Sequence, residues 1–245
     1  MPSGLQGRKL AVCARSHRRY WIKSLEAIHQ DLFAAVDRWV RKDSIIWDIG
    51  ANIGVFAFAA AVRAGAGGYV YAFEADLEMA ALMVRSLSNT VPNEAEVCIC
   101  PFAVGSHEGE AKFVVSGYRS AASSLNGFGR FGSNINDRTR TVPIRTVDCL
   151  AGSLRTPTVI KIDVEGAENL VLAGAEGVIQ SFRPLLLVEA SGGQSGAQTA
   201  DMLRSWNYVW APWDSSVEMR SDQTIPAGDI VAMHSADLKT RINNQ

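Results

Sequence analysis

The sequence predicts an α/β fold of the doubly wound type, with a mostly parallel sheet and an N-terminal helical extension. From residue 44 onwards, short apolar runs alternate with helical runs in the order strand, helix, strand, helix, strand, as in parallel sheets covered by helices. Glycines and acidic residues follow the apolar runs, at the strand ends where ligands of such sheets bind. No internal repeat or interdomain linker is visible in the 245 residues, which favours one domain.

Each element is predicted from its own pattern. Residues 20–41 place apolar side chains at helical spacing and predict one amphipathic helix or two short ones. Apolar or alternating runs predict strands at 44–50, 67–75, 95–105, 110–117, 156–166, 183–191, 208–213 and 228–235. Helices are predicted at 54–65, 76–89, 167–182 and 197–207. Gly65 is expected to close the first of these helices, and Asp76 to cap the start of the second.

Residues 117–140 stand apart from this pattern. They are rich in Gly, Ser, Asn and Arg and show no apolar period. A loop of that length inside a compact domain is either functional or mobile. We therefore divide the chain into an N-terminal basic arm with a helical extension, 1–43, and a single domain, 44–245, that carries 117–140 as an insertion.

The charge of the whole chain is balanced, with 24 basic and 25 acidic residues and a formal net charge of -1. That balance gives no pull toward nucleic acid or an anionic membrane, and neither is expected as a partner. Residues 1–23 carry six basic side chains and no acid. This run predicts a solvated arm, and the alternative is an arm that covers an anionic substrate.

Cysteine usage and the N-terminus indicate the compartment. The four cysteines form no C-x-x-C pair and no zinc spacing with histidine, so we expect reduced thiols of a cytoplasmic protein. The N-terminus lacks the apolar segment of a signal peptide, and no run reaches the roughly 18 apolar residues of a membrane span. A homo-oligomer is also compatible with the sequence.

Polar residues interrupt the apolar stretch 44–65. Asn52 and Val55 stand where the G-x-G-x-x-G fingerprint needs its second and third glycines, so a pyrophosphate ligand and a nicotinamide dehydrogenase are disfavoured. Asp48 could hold a cationic amino group, and Glu74, at the next strand end, could accept hydrogen bonds from two ribose hydroxyls. A ligand with ribose, an amino group and no phosphate indicates S-adenosylmethionine. The alternative for Asp48 alone is an anion at a helix N-terminus.

A series of motifs extends this interpretation from about residue 45 to 190. The motifs are WDIGANIGVFAF, YAFEAD, PFAVGSHEGEAKF, SSL, RTVDCL, VIKIDVEGAENLVLAGAEGVI and RPLLLVEAS. In these segments and their order, the chain resembles the FkbM family of S-adenosylmethionine-dependent methyltransferases. The resemblance implies a Rossmann-like, seven-stranded sheet and methylation of hydroxyl oxygens on sugars, polyketides and other natural products.

The resemblance also implies which residues bind the ligands. Those expected to bind the cofactor are Asp48, Gly50, Asn52 and Gly54 beside the methionine and ribose, Glu74 on the ribose, and Phe102 and Ala103 against the adenine. Ala75 follows Glu74 in the same loop and is also expected to bind the cofactor; it stands where the family usually has proline, so the loop shape is expected to differ. Ser123 and Ser124 match the SSL motif and are expected to contact the acceptor from a lid, and the alternative is that this segment is a mobile surface connection.

The reacting hydroxyl must lose a proton, so a base or a metal usually assists. Asp163 ends the strand of the KIDVEGAE motif and Glu189 ends the next strand. We expect both to be catalytic and to share a proton, which raises the pKa of one of them. The alternative is a divalent cation held by these acids with Glu165 or Glu168, although no metal is expected. Glu165 is also a candidate acceptor contact.

Glu168, Lys161 and the histidines have simpler interpretations. Glu168 is expected to complement the dipole of the helix that it begins. Lys161 is expected to form a structural ion pair. None of the four histidines has a partner at motif spacing, and none is expected to be catalytic.

The sequence therefore predicts an O-methyltransferase that acts on a small hydroxylated metabolite or a sugar-type acceptor. One alternative is an N-methyltransferase, although the N-P-P-Y motif common in that class is absent where KIDVEG stands. The other is a non-catalytic, cofactor-binding partner subunit. The intact acids at Asp48, Glu74 and Asp163 argue against the second alternative.

Overall fold

The structure is a computed structural model that describes residues 4–13, 24–115, 124–125, 138–213, 219–222, 224–225 and 227–238. Its helices are α1 (Leu25–Ile28), α2 (Gln30–Trp39), α3 (Val55–Ala64), α4 (Leu77–Ser86), α5 (Val147–Ala151), α6 (Glu168–Ala173), α7 (Glu176–Phe182) and α8 (Gly193–Ser205). Its strands are β1 (Ile45–Ile49), β2 (Tyr69–Phe73), β3 (Glu96–Cys100), β4 (Ala103–Val104), β5 (Gly109–Val115), β6 (Ser124–Leu125), β7 (Arg138–Arg145), β8 (Val159–Ile162), β9 (Leu185–Ala190), β10 (Tyr208–Pro212) and β11 (Gly228–His234).

A seven-stranded sheet in the order β10-β11-β9-β8-β1-β2-β3 forms the centre of the fold. The strands from β9 to β3 in this order are parallel, whereas β11 is antiparallel to both of its neighbours. The predicted doubly wound, mostly parallel sheet is confirmed. The chain passes from β1 to β2 and β3 on one side, while β8 and β9 lie on the other. The topological switch point, where such sheets bind ligands, is therefore at the carboxyl end of β1.

A second sheet of four strands, in the order β4-β7-β5-β6, lies outside the central one. The sequence predicts one strand over 95–105, but β3 ends at Cys100 and Ala103–Val104 belongs to the second sheet. The prediction of a loop over all of 117–140 is also wrong, because it contains β6 and the start of β7. The first half of β7 alternates Arg with Thr, so its sequence lacks an apolar period that would reveal the strand.

The helices follow the predicted order with one break. Residues 167–182 form α6 and α7 instead of the single predicted helix, and Gly174 lies between them. A Cβ atom at residue 174 would lie 2.0 Å from the carbonyl oxygen of Gly105, so this glycine permits the close approach that accompanies the break. Gly65 closes α3 and the side chain of Asp76 caps α4, as predicted.

Part of the described N-terminal segment, residues 4–13, packs into the core, so the expectation of a solvated basic arm does not hold for Arg8, whereas Lys9 is exposed. Leu5 is buried in the apolar cluster that also holds α2 and α3. The guanidinium of Arg8 is buried, donates to the carbonyl oxygen of Ser86 at 2.9 Å and pairs with Glu94. It also lies 4.4 Å from the centre of the Phe58 ring. Within the described ranges, no helix has the length and apolar character needed to cross a membrane.

Candidate functional site

The register of the central sheet places acids from neighbouring strands side by side. Lys161 of β8 lies opposite Asp48 of β1 and opposite Leu187 of β9. Side chains two residues further along each strand point to the same face. Asp163, just after β8, and Glu189, near the end of β9, therefore lie next to each other above Lys161.

The side chain of Lys161 joins β1 to the end of β8. Its ammonium lies 3.0 Å from Asp163 Oδ2 and 3.4 Å from Asp48 Oδ1. Burial opposes the charge of Lys161, but the carboxylates of Asp163 and Asp48 outweigh this effect, and its pKa is raised. The predicted ion pair is confirmed, and it involves two of the expected site residues.

Asp48 is completely buried, with 0 % of its surface exposed. Burial raises the pKa of Asp48, and the charge of Lys161 and the backbone N–H of Ala57 partly offset this effect. Ala57 lies in the first turn of α3, so the carboxylate also faces a helix N-terminus. Both interpretations of Asp48, as a helix anion and as a cofactor contact, agree with this position.

Glu189 and Asp163 share a hydrogen bond between their carboxyl groups. Such a bond requires a proton on one of the two groups. Burial, followed by the charge and hydrogen bond of Asp163, raises the pKa of Glu189 to about 8. The raised pKa favours the protonated form of Glu189 at neutral pH, and the contact with Lys161 favours the charged form of Asp163. The predicted proximity of the two acids is confirmed, while their catalytic roles remain predictions.

A third acid at this site is not predicted from the sequence. Asp229 of β11 lies opposite Glu189 in the antiparallel pair of strands, and its charge contributes to the raised pKa of Glu189. β11 is antiparallel to β9, so its first residues lie at the same edge of the sheet as the carboxyl ends of the parallel strands. The available signal was the Gly-Asp pair that opens an otherwise apolar strand.

Glu74, directly after β2, is buried and accepts two backbone hydrogen bonds. Its carboxylate oxygens accept from the N–H groups of Asn52 and Asp76, each at 2.7 Å. Burial raises the pKa of Glu74 to about 7, against the lowering effect of these two N–H groups. Each oxygen keeps further acceptor capacity, so the carboxylate fits a ligand with two neighbouring hydroxyls.

Asn52 adds a second open acceptor at this end of the site. Its φ of 54° lies in the left-handed region, which asparagine tolerates better than most residues. Its Oδ1 atom is buried and has no hydrogen-bond donor among the described residues. An open amide oxygen beside Glu74 fits a ligand that carries hydroxyl and ammonium donors, as S-adenosylmethionine does.

The two glycines of the motif have different packing roles. A Cβ atom at Gly50 would lie 1.8 Å from the backbone oxygen of Asp163, so this glycine lets the turn after β1 pass directly beside the end of β8. A Cβ atom at Gly54 would lie 2.8 Å from the Phe58 ring and 3.1 Å from Met83. Gly54 therefore accommodates protein side chains, and its expected contact with cofactor remains a prediction.

The expected adenine contacts lie where the two sheets meet. The ring of Phe102 packs on Phe73, with centroids 5.6 Å apart. Ala103 is buried in the small core of the second sheet, and Ala75 packs against the same core. The second sheet therefore lies directly beside the loop that carries Glu74. The roles of these residues in cofactor binding remain predictions.

Glu168 is buried and forms specific hydrogen bonds, so the expected dipole interaction is only part of its role. Its Oε1 accepts from the N–H of Gly166 at 2.7 Å, and the Ser191 hydroxyl lies 3.3 and 3.1 Å from the two carboxylate oxygens. Glu168 therefore connects the loop after β8 to the loop after β9. Asp163 lies on the first of these loops, and Glu189 in β9 lies two residues before Ser191, so the connection supports their spacing.

The remaining expected substrate contacts are less defined. Glu165 has a φ of 50°, and left-handed backbone at a non-glycine residue is often found at functional sites. Ser123 lies outside the described residues, and Ser124 is described only through the pairing of β6 with β5. The proposed lid over the ligands falls mainly outside the described residues. In the described ranges, no group of three or more His, Cys, Asp or Glu side chains could hold a metal ion.

The fold and the placement of these acids define a class I methyltransferase. The Methyltransferase FkbM domain model matches residues 48–210, and the chain belongs to this family of methyltransferases. The resemblance seen in the sequence is confirmed.

The chain is also similar to one curated protein and to two solved structures. Over 185 residues, the chain is 27% identical to the hexuronic acid methyltransferase AglP of Haloferax volcanii, covering 71% of each protein. The crystal structure of methyltransferase FkbM from Methylobacillus flagellatus KT is 16% identical, with a TM-score of 0.50, over 79% of this chain and 44% of that one. The chain thus matches less than half of that longer protein. Precorrin-6y C5,15-methyltransferase from Geobacter metallireducens GS-15 gives a TM-score of 0.49 at 12% identity, over 84% of this chain and 88% of that one.

Proposed function

We propose that the protein transfers a methyl group from S-adenosylmethionine to a hydroxyl oxygen of a small, sugar-type acceptor. The observation that carries this proposal is the hydrogen-bonded pair of Asp163 and Glu189 at the switch point of the sheet. The pair offers a proton acceptor whose pKa of about 8 lies near a physiological operating pH, where general-base catalysis is most effective.

The cofactor would be held at the ends of β1 and β2. Glu74 would accept hydrogen bonds from the ribose hydroxyls, and the open Oδ1 of Asn52 would accept from a polar group of the ligand. Asp48 and Asp163 would contribute negative charge beside a sulfonium. When bound, S-adenosylmethionine supplies a methyl group on a positively charged sulfur and leaves as a neutral thioether, so no acid is needed for the leaving group.

The acids would act on the acceptor. Asp163 would accept a hydrogen bond from the reacting hydroxyl and orient its oxygen. Glu189, once ionised, would take the hydroxyl proton as the oxygen–methyl bond forms and the sulfur–methyl bond breaks. Alignment of these atoms supplies a large part of the rate, and the connection through Glu168 would maintain it.

The charges of the site favour a hydroxyl over a carboxylate as the acceptor. A carboxylate is already ionised and needs no base, and it would be repelled by Asp163 and Asp229. A neutral hydroxyl needs the base that this site offers. The related enzyme named for hexuronic acid supports a sugar-type acceptor, and a hexuronic acid carries both groups.

The first test is calorimetric titration with S-adenosylhomocysteine, with NADH as the control. We expect micromolar binding of the first and none of the second. The second test is transfer of a labelled methyl group to uronic acids, neutral sugars and amino sugars, followed by mild alkali. A methyl ether survives alkali, whereas release of the label would identify a carboxyl acceptor and contradict this proposal.

Two further outcomes would select the alternatives. A labelled N-methylamino sugar would indicate N-methylation, and cofactor binding without transfer would indicate a partner subunit. We also propose the cytoplasm as the location of the reaction, because none of the four cysteines forms a disulfide and reduced thiols are typical of that compartment.

A further inference from the structure

Lys161 is an unusual residue for the centre of a parallel sheet. It stands in β8 between Ile160 and Ile162, and its own exposed fraction is only 5 %. A buried ammonium without partners would be strongly destabilising. A central strand normally carries apolar side chains at such a position.

The surroundings of Lys161 are anionic on two sides. Asp48 approaches from β1 at 3.4 Å and Asp163 from the end of β8 at 3.0 Å, and Glu189 of β9 adds a weaker attraction. From α3, the Phe56 ring faces the ammonium, with its centre 5.7 Å from Nζ. Next to this group, the charge of Asp229 in β11 raises the pKa of Glu189.

We propose that Lys161 is a positioning residue that directs the shared proton of the acid pair, holding Asp163 ionised so that the proton lies on Glu189. This inference rests on the proposed function only for its catalytic consequence. The contact of Lys161 is with one member of the pair, at Asp163 Oδ2, and this asymmetry makes the two acids chemically distinct.

Stability alone does not explain this arrangement. A buried ion pair contributes little net stability compared with well-packed apolar residues. One acid would neutralise Lys161, yet the ammonium contacts two, and Asp163 is also bonded to Glu189. Lys161 therefore connects the cofactor end of β1 with the proton-accepting pair, and its charge acts on both.

The test uses K161M, which keeps a long side chain without the charge, and the double variant D48N/K161M. The double variant removes the acid that K161M leaves buried without its cation, so it also covers the case in which K161M does not fold. Carbon-13 NMR titration of the side-chain carboxyls follows the acid pair directly, with D163N and E189Q used for assignment.

We expect the pair to take up its proton at a pH higher by about 1 to 3 units in both variants, the range for loss of an opposite charge at this distance. The rise of kcat with pH moves by the same amount, and activity near pH 7 falls at least tenfold and recovers in alkali. A purely structural role would lower Tm without moving either profile. If D48N/K161M titrates like the wild type, Lys161 only neutralises Asp48 and the inference is overturned.

The NMR titration needs no substrate, so the two proposals can fail separately. A wild-type protein without methyl transfer would refute the proposed function, while the titration would still test Lys161. An active enzyme whose acid pair titrates identically with and without Lys161 would refute the role of this residue alone.

Discussion

Asp229, the second residue of β11, lies directly opposite Glu189 of β9. The two acids belong to strands that run in opposite directions, and they meet at the edge where β1 and β8 end. The charge of Asp229 adds to the effects of burial and of Asp163, which together raise the pKa of Glu189 to about 8. Asp229 therefore helps to raise the pKa of the proposed base from the first residues of an antiparallel strand, whose own carboxyl end lies at the opposite edge of the sheet.

The substitution Asp229→Asn is expected to lower the pH at which the enzyme becomes half active. It removes a like charge, so Glu189 loses its proton more easily, by about 1 pH unit or less. The measurement is kcat as a function of pH from 5.5 to 10. Asp222→Asn, at an exposed position before β11, is the matched control. An unchanged profile in the Asp229 variant would show that the two acids are not coupled.

The variants Asp163→Asn and Glu189→Gln separate the two roles in the acid pair. Both are expected to bind S-adenosylhomocysteine within about threefold of the wild type and to lower kcat by about 10²- to 10⁴-fold, the usual contribution of a general base. Only Glu189→Gln should abolish the rise of kcat near pH 8. Normal turnover in either variant would remove that residue from the proposed mechanism.

The sequence predicted the central sheet because each parallel strand is a local apolar run with a polar end. It also predicted the proximity of Asp163 and Glu189, since neighbouring parallel strands end at one edge. Asp229 could not be found in this way, because its position depends on the antiparallel pairing of β11. That pairing is a contact between distant segments and leaves only a weak local pattern.

The sequence also does not reveal the hydrogen-bond and ion-pair partners of the buried polar groups. Arg8 reads as one of several basic residues near the N-terminus, and only its contact with Glu94 distinguishes it. The sequence shows Glu168 only as an acid in the first turn of a helix, and the fold brings the Ser191 hydroxyl into hydrogen-bond distance of it. In both cases the decisive partner is far away in the sequence, so spacing and composition carry no information about it.

Glu74 is expected to make the stability of the free protein depend on pH. Burial raises its pKa to about 7 in the folded state, while an unfolded glutamate titrates near its ordinary value of about 4.3. The protonated side chain therefore stabilises the fold fully below about pH 4, and this contribution is lost as the pH rises to about 7. Tm between pH 4.5 and 8 should fall less in Glu74→Gln than in the wild type, and parallel curves would contradict this assignment.

Glu168 is expected to link stability to turnover. Glu168→Ala leaves the partly buried Gly166 N–H and Ser191 hydroxyl without their acceptor, at a cost of about 1 kcal/mol for each group, the lower end of the range for unsatisfied groups. Since the loops after β8 and β9 then separate, kcat should also fall, even under conditions in which the variant is fully folded. Glu26→Ala, at an exposed first-turn acid of α1, is the control and should change both quantities little. A stability loss with unchanged kcat would show that the acid pair does not depend on this connection.

Substitution of Arg8 tests whether the N-terminal segment contributes to the stability of the core. Its guanidinium contacts Ser86, Glu94 and the Phe58 ring, so Arg8→Met leaves the carboxylate of Glu94 largely buried without its cation. Breaking such a pair costs about 3–5 kcal/mol, which urea unfolding measures directly. The double variant Arg8→Met with Glu94→Gln should regain part of this loss because no charge remains buried. Lys9→Met, at an exposed neighbouring position, should stay within about 0.5 kcal/mol of the wild type, and an equal loss there would mean that the segment contributes through its charge in general.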